Sequence, residues 1–127
     1  MNHFSRLISL SCLFMLCACD SGLGQSDMKG IFETDSGECV KEGDVGLSLL
    51  KNNRIHIDFY CFLEKCNSME GPIGKGGHFY LSDKFGHYIQ GQLLPTKARG
   101  LWYTTMGGKK CSGSWFALDK SQINKQQ

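Results

Sequence analysis

Cysteine is the residue type with the most chemistry to offer in this sequence, because a thiol can bind a metal, form a disulfide or accept a lipid. The 127-residue chain contains seven cysteines, a number that indicates an oxidising compartment rather than the cytosol. Cys17 and Cys19 lie one residue apart directly after an apolar run, in the stretch FMLCACDSG. The role of this pair decides how many cysteines remain for a folded domain.

The first nineteen residues have the organisation of an export signal. Arg6 and the amino terminus form a short positive segment, and residues 7–16 follow without a charge. A helix of that length spans about 15 Å, half of the roughly 30 Å hydrocarbon core, which is typical of a secretory signal rather than of a spanning helix. Leu16-Cys17-Ala18-Cys19 resembles the lipobox of bacterial lipoproteins, in which Ser, Thr or Ala is more usual at the position of Cys17.

The lipobox resemblance implies that residues 1–18 are a lipoprotein signal peptide and that Cys19 becomes the acylated amino terminus. Three acyl chains on Cys19 would exceed the two signals needed for stable anchoring in the lipid bilayer. Asp20 resembles the signal that retains enteric lipoproteins, so the inner membrane is favoured over the outer one, with the protein facing the periplasm. The alternatives are an uncleaved anchor and an ordinary secretory signal. Residues 19–28 then form the lipidated cysteine and a polar tether, with a reach of roughly 15–18 Å.

The pattern after residue 28 predicts a small all-β domain at 29–118, followed by a polar tail at 119–127. Short β-favouring runs alternate with turn residues, most clearly at 54–62, where Ile55, Ile57 and Phe59 share one face. We expect loops at 35–44, 64–77 and 95–100. Sequential antiparallel pairing and the need to protect strand edges favour a meander that forms a barrel or a sandwich. The seven predicted strands are 29–34, 45–51, 54–62, 78–82, 87–94, 101–106 and 111–118.

Four cysteines remain for this domain once Cys12, Cys17 and Cys19 are assigned to the leader and the lipid. An even number in an exported domain predicts two disulfides with three possible connectivities. In a closed meander the first and last strands are neighbours, which brings Cys39 near Cys111 and leaves Cys61 with Cys66. We therefore predict the pairs Cys39–Cys111 and Cys61–Cys66. A zinc site is the alternative, but the four cysteines lack paired metal-ligand spacing.

The candidate catalytic and metal-binding residues do not form a recognisable site. If Ser82 pairs with His87 across the DKFG turn, His78 and His87 lie about 13 Å apart and cannot share a metal. The stretch GPIGKGG lacks the spacing of a phosphate-binding loop. The sequence therefore predicts no catalytic residue, no metal, no cofactor and no enzymatic activity. A formal net charge of +2 without a long basic run gives no reason to expect nucleic acid as a partner.

Charge and aromatic content point instead to binding. Residues 20–70 carry ten acidic and five basic residues, whereas residues 71–127 carry two acidic and eight basic ones, which in a meander can produce an acidic and a basic side. In the stretch PTKARGLWY, Lys97 and Arg99 flank a predicted loop tip, with Trp102 and Tyr103 just beyond it. Arg, Trp and Tyr are the residue types that dominate binding hot spots. Lys97, Arg99, Trp102 and Tyr103 are the predicted partner-binding residues. The alternative is that Trp102 belongs to the core, as we expect for Trp115.

The sequence therefore predicts an envelope lipoprotein whose β domain binds an envelope protein. It would act as an inhibitor or immunity-type protein, or as an accessory of secretion or conjugation, such as a lipoprotein that excludes further conjugating donors. The closing SGSWFAL and the GQLL…GLWYTT segment are loosely similar to small periplasmic barrel domains, including calycin-like inhibitors. That similarity implies an alternative function, the binding of a small apolar ligand. An internal cavity would favour the ligand, and a filled interior would favour the protein partner.

Overall fold

Alternating apolar and polar residues build eight antiparallel strands in the computed structural model, which describes residues 27–105 and 109–121. The predicted signal peptide, Cys19 and Asp20 lie outside the described residues. Within the described part of the chain, no helix has the length and apolar character needed to cross a bilayer. The strands are β1 (Met28–Ser36), β2 (Glu42–Leu50), β3 (Arg54–Cys61), β4 (Glu64–Pro72), β5 (His78–Ser82), β6 (His87–Leu93), β7 (Lys97–Thr104) and β8 (Cys111–Asp119).

The eight strands form one sheet in the order β4-β3-β2-β1-β8-β7-β6-β5, with each strand antiparallel to its neighbours. The first and last strands are paired, so the sheet curls until its two edges, β4 and β5, approach each other. The edges are close at Gly71, where a β-carbon would lie 2.5 Å from Leu81 Cδ2. The prediction of a small all-β barrel-like meander is confirmed.

Strand β4 corrects the expectation of a loop at 64–77 and raises the number of strands from seven to eight. Its sequence is mostly polar and ends in Gly71 and Pro72, so local propensity argues against a strand. Pairing with β3 provides the backbone hydrogen bonds, while Met69 and Gly71 face the interior. Pro72 is tolerated because β4 is an edge strand, and it is also the last residue of that strand.

Three further boundaries or registers differ from the predictions. Residues 97–100, expected in a loop, open β7, and Ala98 points into the core. Strand β2 begins at Glu42, within the expected 35–44 loop. In the β5–β6 hairpin Ser82 pairs with Tyr88 instead of His87, because Asp83 pairs with His87 across a three-residue turn that ends at Gly86 with φ +90°. Such three-residue turns commonly need a left-handed residue at this position.

The interior is filled mainly by aliphatic and aromatic side chains from alternating strand positions. Phe32 and Phe59 stack with ring centroids 4.7 Å apart, and Trp102 meets both rings edge-on at 5.8 and 6.3 Å. Phe79 and Trp115 form a second contact at 5.9 Å. The first group joins β1, β3 and β7, and the second joins β5 and β8. Both therefore pack together strands that are not neighbours in the sheet.

Both predicted disulfides, Cys39–Cys111 and Cys61–Cys66, are present. They lie at the same end of the barrel, where the odd-numbered strands end and the even-numbered strands begin; we call it the disulfide end. The opposite end holds Met28, the first residue of β1, and we call it the tether end. The predicted membrane tether therefore joins the barrel at the end away from the disulfides.

Candidate partner-binding face

The outer surface of β5, β6 and β7 carries a row of tyrosines because the strand registers align them. Tyr88 lies directly opposite Tyr103, and Tyr80 lies on the neighbouring strand one pleat away. The rings of Tyr88 and Tyr103 stack with centroids 4.2 Å apart at 11°, and Tyr80 lies 6.2 Å from Tyr88. Cross-strand aromatic pairs of this kind hold each other in place. The result is an ordered aromatic surface.

The tyrosine row remains accessible although its members stack. The side chains of Tyr80 and Tyr103 are 56% and 43% exposed. Leu101, two residues from Tyr103 on β7, is 53% exposed, and Phe116 on β8 is also exposed. Together with Tyr88 these residues form an exposed surface centred on three rings, which we call the tyrosine face. Exposed apolar groups gathered in this way on one face mark interaction surfaces.

Tyr103 is uncharged at neutral pH. Partial desolvation, followed by a hydrogen bond with Tyr80, raises the pKa of Tyr103 above its usual value of 10, against a smaller lowering by Tyr88. The hydroxyl of Tyr103 therefore remains available as a neutral hydrogen-bonding group beside the apolar rings. A surface that combines ring faces with neutral hydroxyls suits a protein contact.

Basic side chains border the tyrosine face. Arg99 lies two residues from Leu101 on the outer side of β7, opposite Phe116 of β8, and Lys97 follows on the same side. Two adjoining depressions of about 630 and 730 Å³ share Tyr80, Gln90 and Leu101 in their walls. The larger one includes Arg99. The tyrosine face thus combines exposed apolar side chains with two depressions, and basic side chains lie at its border.

The strand order converts the charge asymmetry of the sequence into two sides of the barrel. Residues 27–72, which contain β1–β4, hold nine acidic and five basic residues, whereas 73–121 hold two acidic and seven basic ones. Strands β1–β4 are contiguous in the sheet, as are β5–β8. The tyrosine face therefore lies on the basic half.

The structure separates the four predicted partner-binding residues. Lys97, Arg99 and Tyr103 lie on the outer side of β7, whereas Trp102 points inward and is buried. The Trp102 ring nitrogen donates a hydrogen bond to the Glu33 carbonyl at 3.0 Å, so Trp102 is a core residue. Trp115 is also buried in the core.

Sequence reasoning missed four members of the face, namely Tyr80, Tyr88, Leu101 and Phe116. Alternation along each strand could have indicated their outward direction. Their proximity depends on the register between strands, which alternation does not provide.

A different arrangement covers the outer surface of β3 and β4. His56 Nε2 lies 2.9 Å from Asp58 Oδ1, and His56 Nδ1 lies 3.3 Å from Glu70 Oε1. Arg54 and Lys65 reach Glu70 and Asp58 at 3.7 and 3.9 Å. We call this surface the charge face, and its members pair mainly with each other.

The other two histidines considered at the outset do not lie together. His87 Nδ1 contacts Asp83 Oδ2 at 2.7 Å in the β5–β6 turn, whereas His78 lies opposite Gln92 at the far end of the same hairpin. Across residues 27–105 and 109–121, no group of three or more His, Cys, Asp or Glu side chains is placed to hold a metal ion.

A cavity of about 330 Å³ opens at the disulfide end of the barrel. Its apolar wall includes the rings of Phe32, Phe59 and Trp102, and the sulfurs of Cys39 and Cys61 lie close by. Its volume is at the lower limit of the range for small-molecule sites. The cavity adjoins the aromatic cluster of the core at the disulfide end.

No protein-family model, curated protein or solved structure matches this chain. The case for a function therefore rests on the geometry and on the chemistry of the residues themselves.

Proposed function

We propose that this protein is a bacterial envelope lipoprotein, anchored through acylated Cys19 and facing the periplasm, whose β domain binds a protein through the tyrosine face. The stacked pair Tyr88–Tyr103, with Tyr80 beside it and the rings of Tyr80 and Tyr103 exposed, is the observation that carries the proposal. Tyrosine and arginine are enriched among the residues that dominate binding energy. The stacking fixes these rings before binding, which lowers the entropy lost on association.

The charge around the face defines the partner more closely. Because the face lies on the basic half, with Arg99 and Lys97 at its border, we expect the partner to present an acidic rim around an apolar centre. Opposite charges would accelerate association and exclude basic competitors. An inhibitor or immunity-type protein and an accessory of secretion or conjugation would both use such a face.

The anchor is tested by metabolic labelling with a fatty-acid analogue. Wild-type protein should be labelled and should sediment with membranes, whereas Cys19→Ala should be unlabelled. If Cys19→Ala is labelled as strongly as the wild type, the anchor is wrong. In an enteric host, Asp20→Ser should move the lipoprotein from the inner to the outer membrane, and an unchanged location would remove Asp20 as the sorting signal.

The face is tested by photo-crosslinking in cells, with the reactive amino acid placed at Leu101 and, as a matched control, at Glu70 on the charge face. Crosslinking should occur at Leu101 and not at Glu70. The captured protein, once purified, should bind Tyr88→Ser/Tyr103→Ser about 10–100-fold more weakly than wild type, as expected for two hot-spot residues. Equal crosslinking at both positions, or an affinity change below twofold, would eliminate the face.

A second candidate function is the binding of a small apolar ligand in the 330 Å³ cavity at the disulfide end. The aromatic wall formed by Phe32, Phe59 and Trp102 favours it. A naphthylamine fluorophore should then bind and quench Trp102 fluorescence, and filling the cavity by Val40→Phe should abolish the signal while Leu101→Ser leaves it unchanged. An unquenched Trp102 at saturating fluorophore would reject this function.

A further inference from the structure

The β3–β4 hairpin presents two large apolar side chains at its tip. Phe62 and Leu63 form the two-residue connection between β3 and β4, and their side chains are 82% and 97% exposed. Water therefore surrounds a phenyl ring and an isobutyl group that gain almost nothing from burial within their own domain. We call these two residues the apolar tip.

The backbone at Phe62 makes this exposure more notable. Its φ is +63°, in the left-handed region, whereas Leu63 has no positive φ. A two-residue hairpin turn with positive φ at its first central position normally has glycine there, and a bulky residue in this conformation costs stability. The Cys61–Cys66 disulfide closes the hairpin directly behind the tip. Phe62 is thus a side chain that strains its turn and makes little contact in return.

Acidic side chains surround the base of the tip. Glu64 lies opposite Cys61, Asp44 lies opposite Tyr60, and Glu42 precedes Asp44 on β2. Lys65 is a basic neighbour within this group. The strand positions next to the tip therefore carry three acidic side chains and one basic one, in contrast to the basic border of the tyrosine face.

The position of the tip relative to the tether decides between a membrane and a protein as its occupant. The tip lies at the disulfide end, whereas Met28 lies at the tether end. The nine residues of β1 separate the two ends by about 30 Å. A barrel held by a tether at Met28 can direct the apolar tip away from the bilayer that anchors it.

We propose that Phe62 and Leu63 insert into an apolar pocket with a basic rim on the protein partner, forming a contact separate from the tyrosine face. This inference rests on the proposed function, since it assumes that the partner is a protein. It explains why a side chain that is unfavourable within the domain occupies the turn, because its contacts form only in the complex. The disulfide keeps the tip in its inserted conformation and so reduces the ordering needed on binding.

The test uses the full-length lipidated protein in cells, with a photo-crosslinking amino acid at position 62, 85 or 101. Phe85 is a matched control, because it is an exposed phenylalanine in a turn at the same end, with Lys84 Nζ 5.4 Å from its ring centroid. Crosslinking to one protein should occur at 62 and 101 and not at 85. With that protein purified, Phe62→Gly and Leu63→Ser should each weaken binding at least tenfold, whereas Phe85→Ser should change it less than twofold.

Stability provides an independent readout for the same variants. Phe62→Gly should raise the Tm by roughly 3–6 °C, because glycine accepts the left-handed conformation. Leu63→Ser should leave the Tm almost unchanged. A variant that folds more stably and yet binds more weakly cannot have lost affinity through unfolding. Equal losses of affinity in Phe62→Gly and Phe85→Ser would indicate general apolar adhesion and overturn the proposal.

The remaining outcomes separate this inference from the proposed function. Crosslinking at 101 without crosslinking at 62 overturns the apolar tip and leaves the tyrosine face in place. Crosslinking at 62 alone supports the tip and eliminates the face, and crosslinking at neither position eliminates both. A last outcome concerns a membrane. If the purified non-acylated domain binds vesicles of phosphatidylethanolamine and phosphatidylglycerol, and Phe62→Gly abolishes that binding, the tip is assigned to a membrane and the proposal is overturned.

Discussion

The charge face and the tyrosine face are both outer surfaces of antiparallel strands in the same sheet, yet their side chains behave differently. On the charge face, His56 lies within 3.3 Å of both Asp58 and Glu70, so its polar groups find partners within the domain. On the tyrosine face, the rings of Tyr88 and Tyr103 stack on each other and still leave apolar area exposed. The polar groups of the charge face are therefore largely paired in the free protein, whereas the tyrosine face leaves apolar area unburied.

This difference identifies which surface is suited to a partner. An exposed network of paired charges contributes little to affinity, because binding must first strip water from groups that already interact. An ordered aromatic surface loses little entropy on binding and gains from burial of its exposed area. The apolar tip adds an exposed apolar element on the acidic half, so the barrel offers two candidate contact sites whose surroundings carry opposite charge.

The largest expected effect comes from removing the disulfide Cys39–Cys111, which links the half of the sheet with the charge face to the half with the tyrosine face. Cys39–Cys111 connects the loop after β1 to the first residue of β8 over a sequence separation of 72, whereas the sequence separation of Cys61–Cys66 is 5. By the chain-entropy model, Cys39→Ser/Cys111→Ser should lower the free energy of unfolding by about 4 kcal/mol, and Cys61→Ser/Cys66→Ser by about 2 kcal/mol. Urea denaturation of both double variants measures the difference, and an equal or reversed order would contradict it.

The sequence was sufficient for the fold class and the disulfides because both depend on short-range or topological signals. Alternation at 54–62 identified β3, and the Asn52–Asn53 turn after β2 has the left-handed conformation that asparagine tolerates. Closure of the meander then brought Cys39 to Cys111. None of these inferences required knowledge of which residue faces which across neighbouring strands.

Most of what was missed depends on tertiary pairing. The polar segment of β4 becomes a strand because β3 provides its hydrogen bonds, which overrides weak propensity. The alignment of Tyr88 with Tyr103 requires the β6–β7 register, and the predicted β5–β6 register was wrong by one residue. The exposure of Phe62 followed only once residues 64–72 were known to form a strand.

The second prediction concerns the support beneath the tyrosine face. Trp102 lies between Leu101 and Tyr103 on β7 and points inward, where its ring nitrogen bonds to the Glu33 carbonyl. Trp102→Phe should lower the free energy of unfolding by about 2 kcal/mol, through loss of this hydrogen bond and of ring volume. The NMR signals of Tyr103 should shift, while those of His56 on the charge face remain in place. Shifts of equal size at both sites would show that the two faces are not independent.

The third prediction concerns the turn that positions Tyr88. Asp83 Oδ1 accepts hydrogen bonds from the backbone N–H groups of Phe85 and His87, each at 2.9 Å, and Oδ2 lies 2.7 Å from His87 Nδ1. Desolvation alone would raise the pKa of Asp83, but the hydrogen bonds from His87 and Phe85 outweigh it and hold the pKa below 3.8. Asp83→Asn retains an acceptor for the backbone and loses the charge, so it should cost about 1 kcal/mol at neutral pH.

The pH dependence of this variant follows from the lowered pKa. The carboxylate stabilises the folded state at pH values above its unfolded pKa of about 3.9, and this contribution disappears as the pH falls through the lower folded value. The difference in unfolding free energy between wild type and Asp83→Asn should therefore decrease as the pH falls below about 4. Denaturation curves at successively lower pH test it, and a difference that grows below about pH 4 would show that Asp83 is not a stabilising carboxylate.

The smallest expected effect concerns the charge face itself. Glu70 contacts both Arg54 and His56, but its side chain is 47% exposed, so solvent screens these pairs. Glu70→Gln should change the free energy of unfolding by roughly 0.5 kcal/mol or less, with the change diminishing as salt is added, and should leave binding to the partner unaltered. Tyr103→Ser, also on an outer strand face, is the comparison: it should lower the free energy of unfolding by about 1 kcal/mol, through loss of the stack on Tyr88, and should weaken binding tenfold or more. If Glu70→Gln weakens binding as much as Tyr103→Ser, the charge face takes part in recognition. Ion pairs within a surface would then not indicate which side of this barrel a partner covers.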